Sequence, residues 1–122
     1  MASVDFKDLN VWQRTFQLTK DIYKLAGELP REEQYGLKSQ LLRAAISVPA
    51  NIAEGQARKG NKEFIQFLYI AKGSLAEVET LLMLGSDLNY FSKEKTLELI
   101  SEITICNKML SKLITVIKNK NS

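Results

Sequence analysis

The chain has 122 residues, of which 45% are hydrophobic and 25% are charged, so the sequence predicts one globular domain over residues 1–122. Histidine is absent and Cys106 is the only cysteine, which excludes a Ser-His-Asp triad, a Cys-His pair, a histidine-bearing metal site and an intrachain disulfide. We therefore expect a protein that is not an enzyme, with no catalytic residue, no cofactor and no metal ion.

The sequence also bears on the compartment. The residues from Met1 to Asp5 lack the basic start and apolar run of a signal peptide, and no stretch approaches the roughly 18 to 20 apolar residues that cross a bilayer. A single cysteine fits a reducing environment. We expect a cytoplasmic protein, whose net charge of +3 permits an acidic partner without requiring one.

The first half of the chain predicts two helices. Apolar residues recur at helical spacing over about residues 8–29, and Pro30 ends this helix because proline disfavours helical geometry in the residue before it. The second helix spans about residues 32–57. Pro49 lies inside it and removes one backbone hydrogen bond, which we interpret as a kink, with a break at Val48 as the alternative. The apolar seam of this helix is Leu37, Leu41, Ala44, Val48 and Ile52.

The second half predicts two more helices, over about residues 62–88 and 93–118, after turn residues at 58–61. The third helix has the seam Phe64, Leu68, Ala71, Leu75, Val78, Leu82 and Gly85, and the fourth has Leu99, Ile103, Cys106, Leu110, Leu113 and Ile117. Four helices of similar length with short connections predict an all-α fold, an antiparallel up-down-up-down four-helix bundle.

Apolar residues outside these seams indicate self-association. They are Phe67, Ile70, Leu81, Leu84 and Leu88 on the third helix and Ile100, Ile105, Met109, Ile114 and Val116 on the fourth. A helix that is apolar around much of its circumference is usually covered by more than its own neighbours, so we favour a homo-oligomer. A wide core stripe with scattered surface leucines is the alternative.

A polar stripe runs along the second and third helices. Its members are Gln40, Arg43, Ser47, Asn51 and Glu54 on the second helix and Gly73, Ser74 and Glu77 on the third. In an antiparallel hairpin Arg43 lies level with Glu77, so we predict an ion pair between them, partly buried, inside or between bundles. Gly73 is expected to let the two backbones approach closely. A merely solvated face is the alternative interpretation.

Basic residues collect at one end of the predicted bundle, where the first helix begins, the second meets the third, and the fourth ends. The candidate nucleic-acid-binding residues at this basic end are Lys7, Arg14, Arg58, Lys59, Lys62, Lys118 and Lys120, with Lys112 nearby. Such a surface suits a phosphate backbone. We expect little reading of bases, because aromatic residues that could stack on bases are not interleaved with these basic residues, apart from Trp12 near Arg14. Lysines that complement a helix C-terminus are the alternative.

Two segments resemble a known family. Residues 40–55 (QLLRAAISVPANIAEG) and 70–77 (IAKGSLAE), with Pro30, Glu33, Tyr35, Gly36 and Leu37 before them, are similar to the 23S rRNA intervening-sequence protein family of four-helix bundles. The resemblance implies assembly into a homopentameric ring. It extends to the accessory protein of diversity-generating retroelements, which partners a reverse transcriptase and binds nucleic acid through a basic surface.

These observations leave two hypotheses for function. The first is a non-enzymatic oligomeric accessory protein that binds the backbone of RNA or DNA through its basic end. The second is a protein-interaction scaffold that docks a larger enzyme such as a reverse transcriptase, with nucleic-acid contact incidental.

Overall fold

Four long α-helices make up most of the chain in the structure, a computed structural model that describes residues 5–120. They are α1 (Asn10–Ala26), α2 (Leu37–Ala57), α3 (Asn61–Asp87) and α4 (Lys93–Lys120), with single 3-10 turns at Phe6–Asp8 and Arg31–Glu33. Within residues 5–120 there is no β-strand. The predicted all-α fold with four helices is confirmed.

The start of α2 differs from the prediction, which placed it near residue 32. Arg31–Glu33 form a separate 3-10 turn, and α2 begins at Leu37. The Glu33 carboxylate explains the delay, because its Oε1 accepts a hydrogen bond from the backbone N–H of Leu37 at 3.0 Å. Glu33 thus stands outside the helix and satisfies one of the amide groups that the first turn leaves without a helical partner. α1 is also shorter than predicted, ending at Ala26.

Pro49 does not break α2, which continues through it from Leu37 to Ala57. Proline has no N–H, so the carbonyl of Ala45 one turn earlier loses its helical donor. The hydroxyl of Thr19 on α1 lies 3.2 Å from that carbonyl oxygen and supplies a replacement. The alternative of a break at Val48 is therefore wrong.

Neighbouring helices run antiparallel, since contacts that lie further along one helix lie earlier on the next. Between α1 and α4 the contact is Arg14–Glu102, and Glu28 just after α1 meets Lys95 at the start of α4. The other contacts that show this are Ser47–Ser74 and Gly55–Phe67 between α2 and α3, and Tyr69–Lys118 and Lys72–Ser111 between α3 and α4. Each helix packs against the helices before and after it, and α1 closes the ring of contacts with α4. No helix within residues 5–120 is apolar over a length sufficient to span a bilayer.

The core follows the predicted seams closely. Leu41, Ile52, Leu68, Leu75, Leu82, Cys106 and Leu110 are almost completely buried. Two residues that the sequence pattern assigns to faces outside the seams are buried too, Leu81 on α3 at 8% exposure and Ile114 on α4 at 4%. Leucine and isoleucine side chains buried in this way each contribute roughly 1.5–3 kcal/mol, so the seam is the main source of stability.

The close approach of α2 to α3 occurs at Gly55, and the prediction that Gly73 permits it is wrong. A Cβ on Gly55 would lie 2.6 Å from Cβ of Phe67 and 3.0 Å from Cδ1 of Phe64, whereas a Cβ on Gly73 would meet nothing within 4 Å. Gly73 lies on the exposed surface of α3. The backbone of α2 therefore lies close to α3 at Gly55, near their connecting turn.

Candidate nucleic-acid interface

The basic end predicted from the sequence exists as a surface. α1 and α3 begin there, α2 and α4 end there, and the turn at residues 58–60 joins α2 to α3. The side chains of Lys7, Arg58, Lys59, Lys62, Lys112, Lys118 and Lys120 are exposed. Their availability to an anion depends on how many of them already contact carboxylates.

Arg58 is largely neutralised within the chain. Its Nη2 lies 2.8 Å from Oε2 of Glu54, and its Nη1 lies 4.0 Å from Oε2 of Glu63. The guanidinium carbon also lies 5.1 Å from the ring centroid of Phe67. Since Arg58 would have to give up these contacts to meet a phosphate, it is a weaker candidate than the lysines beside it.

Arg14 links α1 to α4. Its Nε lies 2.5 Å from Oε2 of Glu102, and its Nη2 donates to Oε1 of the same carboxylate at 3.1 Å. The hydrogen bond and the charge of Glu102 raise the pKa of Arg14. Bidentate geometry of this kind fixes both side chains. Arg14 is therefore paired with Glu102 within the chain and does not share the unpaired state of the lysines at the basic end.

Most of the remaining lysines at this end have no carboxylate partner among residues 5–120. Lys59, Lys62, Lys112 and Lys120 take part in no ion pair among residues 5–120, while Lys7 lies 3.8 Å from Asp5. The ammonium group of Lys118 donates to the hydroxyl of Tyr69 at 3.2 Å and lies 5.6 Å from that ring's centroid. The basic end thus presents positive charge that the described chain does not compensate.

The α2 and α3 parts of the polar stripe contact each other through one pair of serines. The hydroxyl of Ser47 hydrogen-bonds to that of Ser74, and the side-chain amide of Asn51 donates to the Ser47 carbonyl at 2.7 Å. The predicted register of α2 against α3 is therefore correct at this level. Gln40 and Glu54 are exposed, and Glu54 binds Arg58 as described.

The predicted ion pair between Arg43 and Glu77 is absent within the chain. Both residues are exposed, and neither appears in an ion pair or hydrogen bond of residues 5–120. The two helices touch through small serine side chains, so the longer side chains one turn away extend into water. An ion pair there would gain little, because water screens it and both side chains would lose freedom.

An aromatic cluster lies on α1, and the sequence pattern alone did not predict it. The rings of Trp12 and Phe16 stack with centroids 4.8 Å apart, and Phe6 meets Trp12 edge-on at 5.2 Å. The ammonium of Lys20 lies 5.6 Å from the centroid of Phe16, and that of Lys7 lies 6.0 Å from Phe6. The sequence holds part of this pattern, because Trp12, Phe16 and Lys20 are four residues apart and so lie next to one another on a helix. Phe6 precedes the helix, so its place in the cluster has no such pattern.

Cys106 is buried beside the Arg14–Glu102 pair. Its Sγ lies 3.8 Å from Oε2 of Glu102, and burial, followed by the charge of Glu102, raises the pKa of the thiol to about 12. A thiol held protonated in this way is a poor nucleophile. Residues 5–120 also contain no group of carboxylates and thiol able to hold a metal ion.

Comparisons with known proteins agree with this architecture. A crystal structure of a protein with unknown function from the S23 ribosomal protein family of Bacteroides thetaiotaomicron has a TM-score of 0.79 with this chain and 27% sequence identity, over 85% of this chain and 97% of that one. No curated protein matches the chain. The sequence profile of the 23S rRNA-intervening sequence protein matches residues 7–112, which include α1, α2, α3 and most of α4. The chain therefore belongs to the 23S rRNA-intervening sequence protein family.

Proposed function

We propose that this protein is a non-enzymatic homo-oligomer that binds the phosphate backbone of nucleic acid through its basic end. The observation that carries the proposal is the group of lysines, Lys59, Lys62, Lys112 and Lys120, that share this end and have no carboxylate partner among residues 5–120. Lysine ammonium groups that meet phosphates release the counterions condensed on nucleic acid, and this release drives binding without regard to sequence.

The placement of the lysines supports contact with the backbone. Lys59 lies in the α2–α3 turn, Lys62 in the first turn of α3, and Lys120 at the end of α4. Long flexible side chains on separate elements can follow a line of phosphates, but they offer no fixed fork that would recognise a base edge. We therefore expect affinity without sequence preference from this surface.

Assembly is the second part of the proposal. Ile70, Leu84 and Leu88 on α3 remain 46–50% exposed and lie on the same side of the α2–α3 hairpin as Arg43 and Glu77. Burying these residues between copies would cover apolar surface and let Arg43 of one copy meet Glu77 of the next. The family resemblance favours a pentameric ring. Parallel subunits in such a ring would join their basic ends into one collar.

Titration with single-stranded RNA and duplex DNA at several salt concentrations tests backbone binding. We expect affinity to fall steeply with salt. Exchanging Lys59→Glu and Lys62→Glu together should reduce the magnitude of the slope of log K against log salt by about 1.4 to 1.8, since each lost phosphate contact removes about 0.7–0.9. The matched control exchanges Arg31→Glu and Lys93→Glu, two exposed basic residues at the opposite end. No binding at low salt, or equal losses from both double variants, would contradict the proposal.

A docking scaffold for a larger enzyme, such as a reverse transcriptase, is the second candidate. The observation that favours it is an apolar groove between the end of α3 and the start of α4, where Met83 is 51% and Leu97 64% exposed. Protein partners select such exposed apolar residues. Exchanging Leu97→Lys should then abolish capture of a purified reverse transcriptase while leaving the salt-dependent affinity for RNA unchanged.

A further inference from the structure

The outward side of α1 carries a row of aromatic and basic side chains. Exposed or half-buried residues recur there at steps of three and four, which places them on one side of the helix. The residues of this aromatic face are Trp12, Gln13, Phe16, Lys20, Tyr23 and Lys24, with Phe6 and Lys7 continuing it beyond the helix start. Phe16 is 45% and Tyr23 46% exposed, so the rings are accessible to a ligand.

The aromatic rings are held in place from within. Trp12 packs against the core and stacks on Phe16 with ring centroids 4.8 Å apart, and Phe6 meets the indole edge-on with centroids 5.2 Å apart. A ring that is already ordered loses little freedom when a ligand stacks on it. The cluster therefore provides a fixed platform at the surface.

Basic side chains lie over two rings of this platform, and one of them, Lys7, also lies 3.8 Å from Asp5. Lys20 lies over Phe16 and Lys7 over Phe6. The acidic residue of α1, Asp21, is engaged by the side-chain amide of Gln17 at 3.0 Å and lies toward the groove between α1 and α4. Lys7 belongs both to this face and to the basic end, so the two surfaces are continuous.

We propose that the aromatic face stacks unpaired bases, so that the ligand of this protein is single-stranded nucleic acid. The proposal rests on the backbone binding proposed above and adds the class of ligand. Bases would stack on Phe16 and Trp12 while Lys7 and Lys20 meet the adjoining phosphates, which is the usual combination in proteins that hold single strands. A duplex hides the faces of its bases and cannot use the platform. An apolar protein surface docked on this face would bury the interleaved lysines without partners for their charges, which is unfavourable.

Trp12 is the only tryptophan, so its fluorescence reports directly on this face. Three probes of equal phosphate number are titrated at low salt: a single-stranded oligouridylate, an abasic oligomer and a duplex. We expect the single strand to quench Trp12 and to bind about tenfold or more tighter than the abasic oligomer. The abasic oligomer and the duplex should bind without quenching.

Exchanging Phe16→Leu removes the stacking ring and keeps the apolar bulk, and Phe16→Ala removes both. Each should weaken binding of the single strand about 5- to 100-fold and leave binding of the abasic oligomer unchanged. Tyr35→Ala is the matched control, since Tyr35 is 93% exposed and lies at the other end of the bundle. It should change nothing.

The outcomes separate this inference from the proposed function. Equal affinity for the single strand and the abasic oligomer, without quenching, would overturn the stacking platform and leave backbone binding intact. No binding of any probe would overturn both. If the Phe16 variants reduced the mass of the assembly measured by light scattering, with unchanged affinity for the single strand, the aromatic face would be a contact between copies and the inference would be wrong.

Discussion

The hydroxyl of Thr19 on α1 stands 3.2 Å from the carbonyl oxygen of Ala45 on α2, the carbonyl that Pro49 leaves without a helical donor. The same hydroxyl lies 2.8 Å from the carbonyl of Thr15, so its one proton is shared between two acceptors. A contact between helices thus compensates a defect inside one of them. This contact explains how α2 continues through Pro49, which lies in residues 40–55, one of the two segments that resemble the family.

This compensation predicts a coupling between Thr19 and Pro49. Thr19→Val keeps the shape of the side chain but removes the donor, so the partly buried Ala45 carbonyl loses its partner and the free energy of unfolding should fall by about 1–3 kcal/mol. Pro49→Ala restores an N–H to α2. In that background Thr19→Val should lower the free energy of unfolding by clearly less. Urea unfolding of the four proteins in this double-mutant cycle measures the coupling.

Thr115→Val supplies the control for that cycle. The hydroxyl of Thr115 donates only to the carbonyl of Ser111 in its own helix, at 3.1 Å. Thr115→Val should therefore change the free energy of unfolding little, both in the wild type and in the Pro49→Ala background. Equal costs of Thr19→Val in both backgrounds would show that the Ala45 carbonyl finds its partner elsewhere.

Two glycines in the α2–α3 hairpin should respond to alanine in opposite ways. Gly55→Ala places a methyl group 2.6 Å from Cβ of Phe67, close to the backbone of α3, so the helices must separate and stability should fall by about 1–3 kcal/mol. Gly73→Ala meets open space and should raise stability by about 0.5–1 kcal/mol through better helix propensity. Thermal unfolding of both variants at matched protein concentration is the measurement. A loss of stability at Gly73 would instead reveal a contact at that surface.

The buried thiol of Cys106 predicts a dependence of stability on alkaline pH. Its folded-state pKa, about 12, lies above the ordinary value of 9.0, so folding favours the protonated thiol. That contribution is complete below pH 9 and is lost as the pH rises toward 12. Cys106→Ala should be less stable than the wild type at pH 8, because it leaves a cavity, and the difference should narrow at pH 10.5.

Urea unfolding of the wild type and Cys106→Ala at pH 8 and at pH 10.5 measures the difference in their free energies of unfolding. Lysines and tyrosines that titrate in the same range are common to both proteins and cancel in the difference. Serine at the same position is a useful second variant, since it does not titrate there and should show the same trend. A difference that stays constant from pH 8 to 10.5 would mean that the thiol titrates alike in the folded and unfolded chains.

The helices and their order were predictable because helical periodicity lies in the sequence itself. The seam of α3 from Leu68 to Gly85 is buried as the spacing predicts. The start of α2 was not predictable, since it depends on the side chain of Glu33, which caps Leu37 and also accepts a hydrogen bond from the hydroxyl of Tyr90 at 3.0 Å. Contacts across the chain decide such boundaries, and spacing along it does not record them.

The candidate site was predictable only in part. Topology alone places Lys59 and Lys62 at the basic end, because the turn between two helices must lie at an end. Whether a cation is free depends on its side-chain partners, and no spacing along the chain indicates that Glu102, 88 residues after Arg14, binds it. The same limit applies to the aromatic face, where Phe6 reaches Trp12 from outside the helix.

The proposed contact between copies predicts a charge-exchange rescue. Arg43→Glu alone and Glu77→Arg alone each place like charges opposite one another where two copies meet, so light scattering should show a smaller assembly. The double variant restores opposite charges with their order reversed and should recover the mass of the wild-type assembly. Because both side chains are exposed and unpaired within the described chain, neither single exchange should lower the thermal stability of a dissociated subunit. If both single variants keep the wild-type mass, Arg43 and Glu77 face only solvent and the copies meet through another surface.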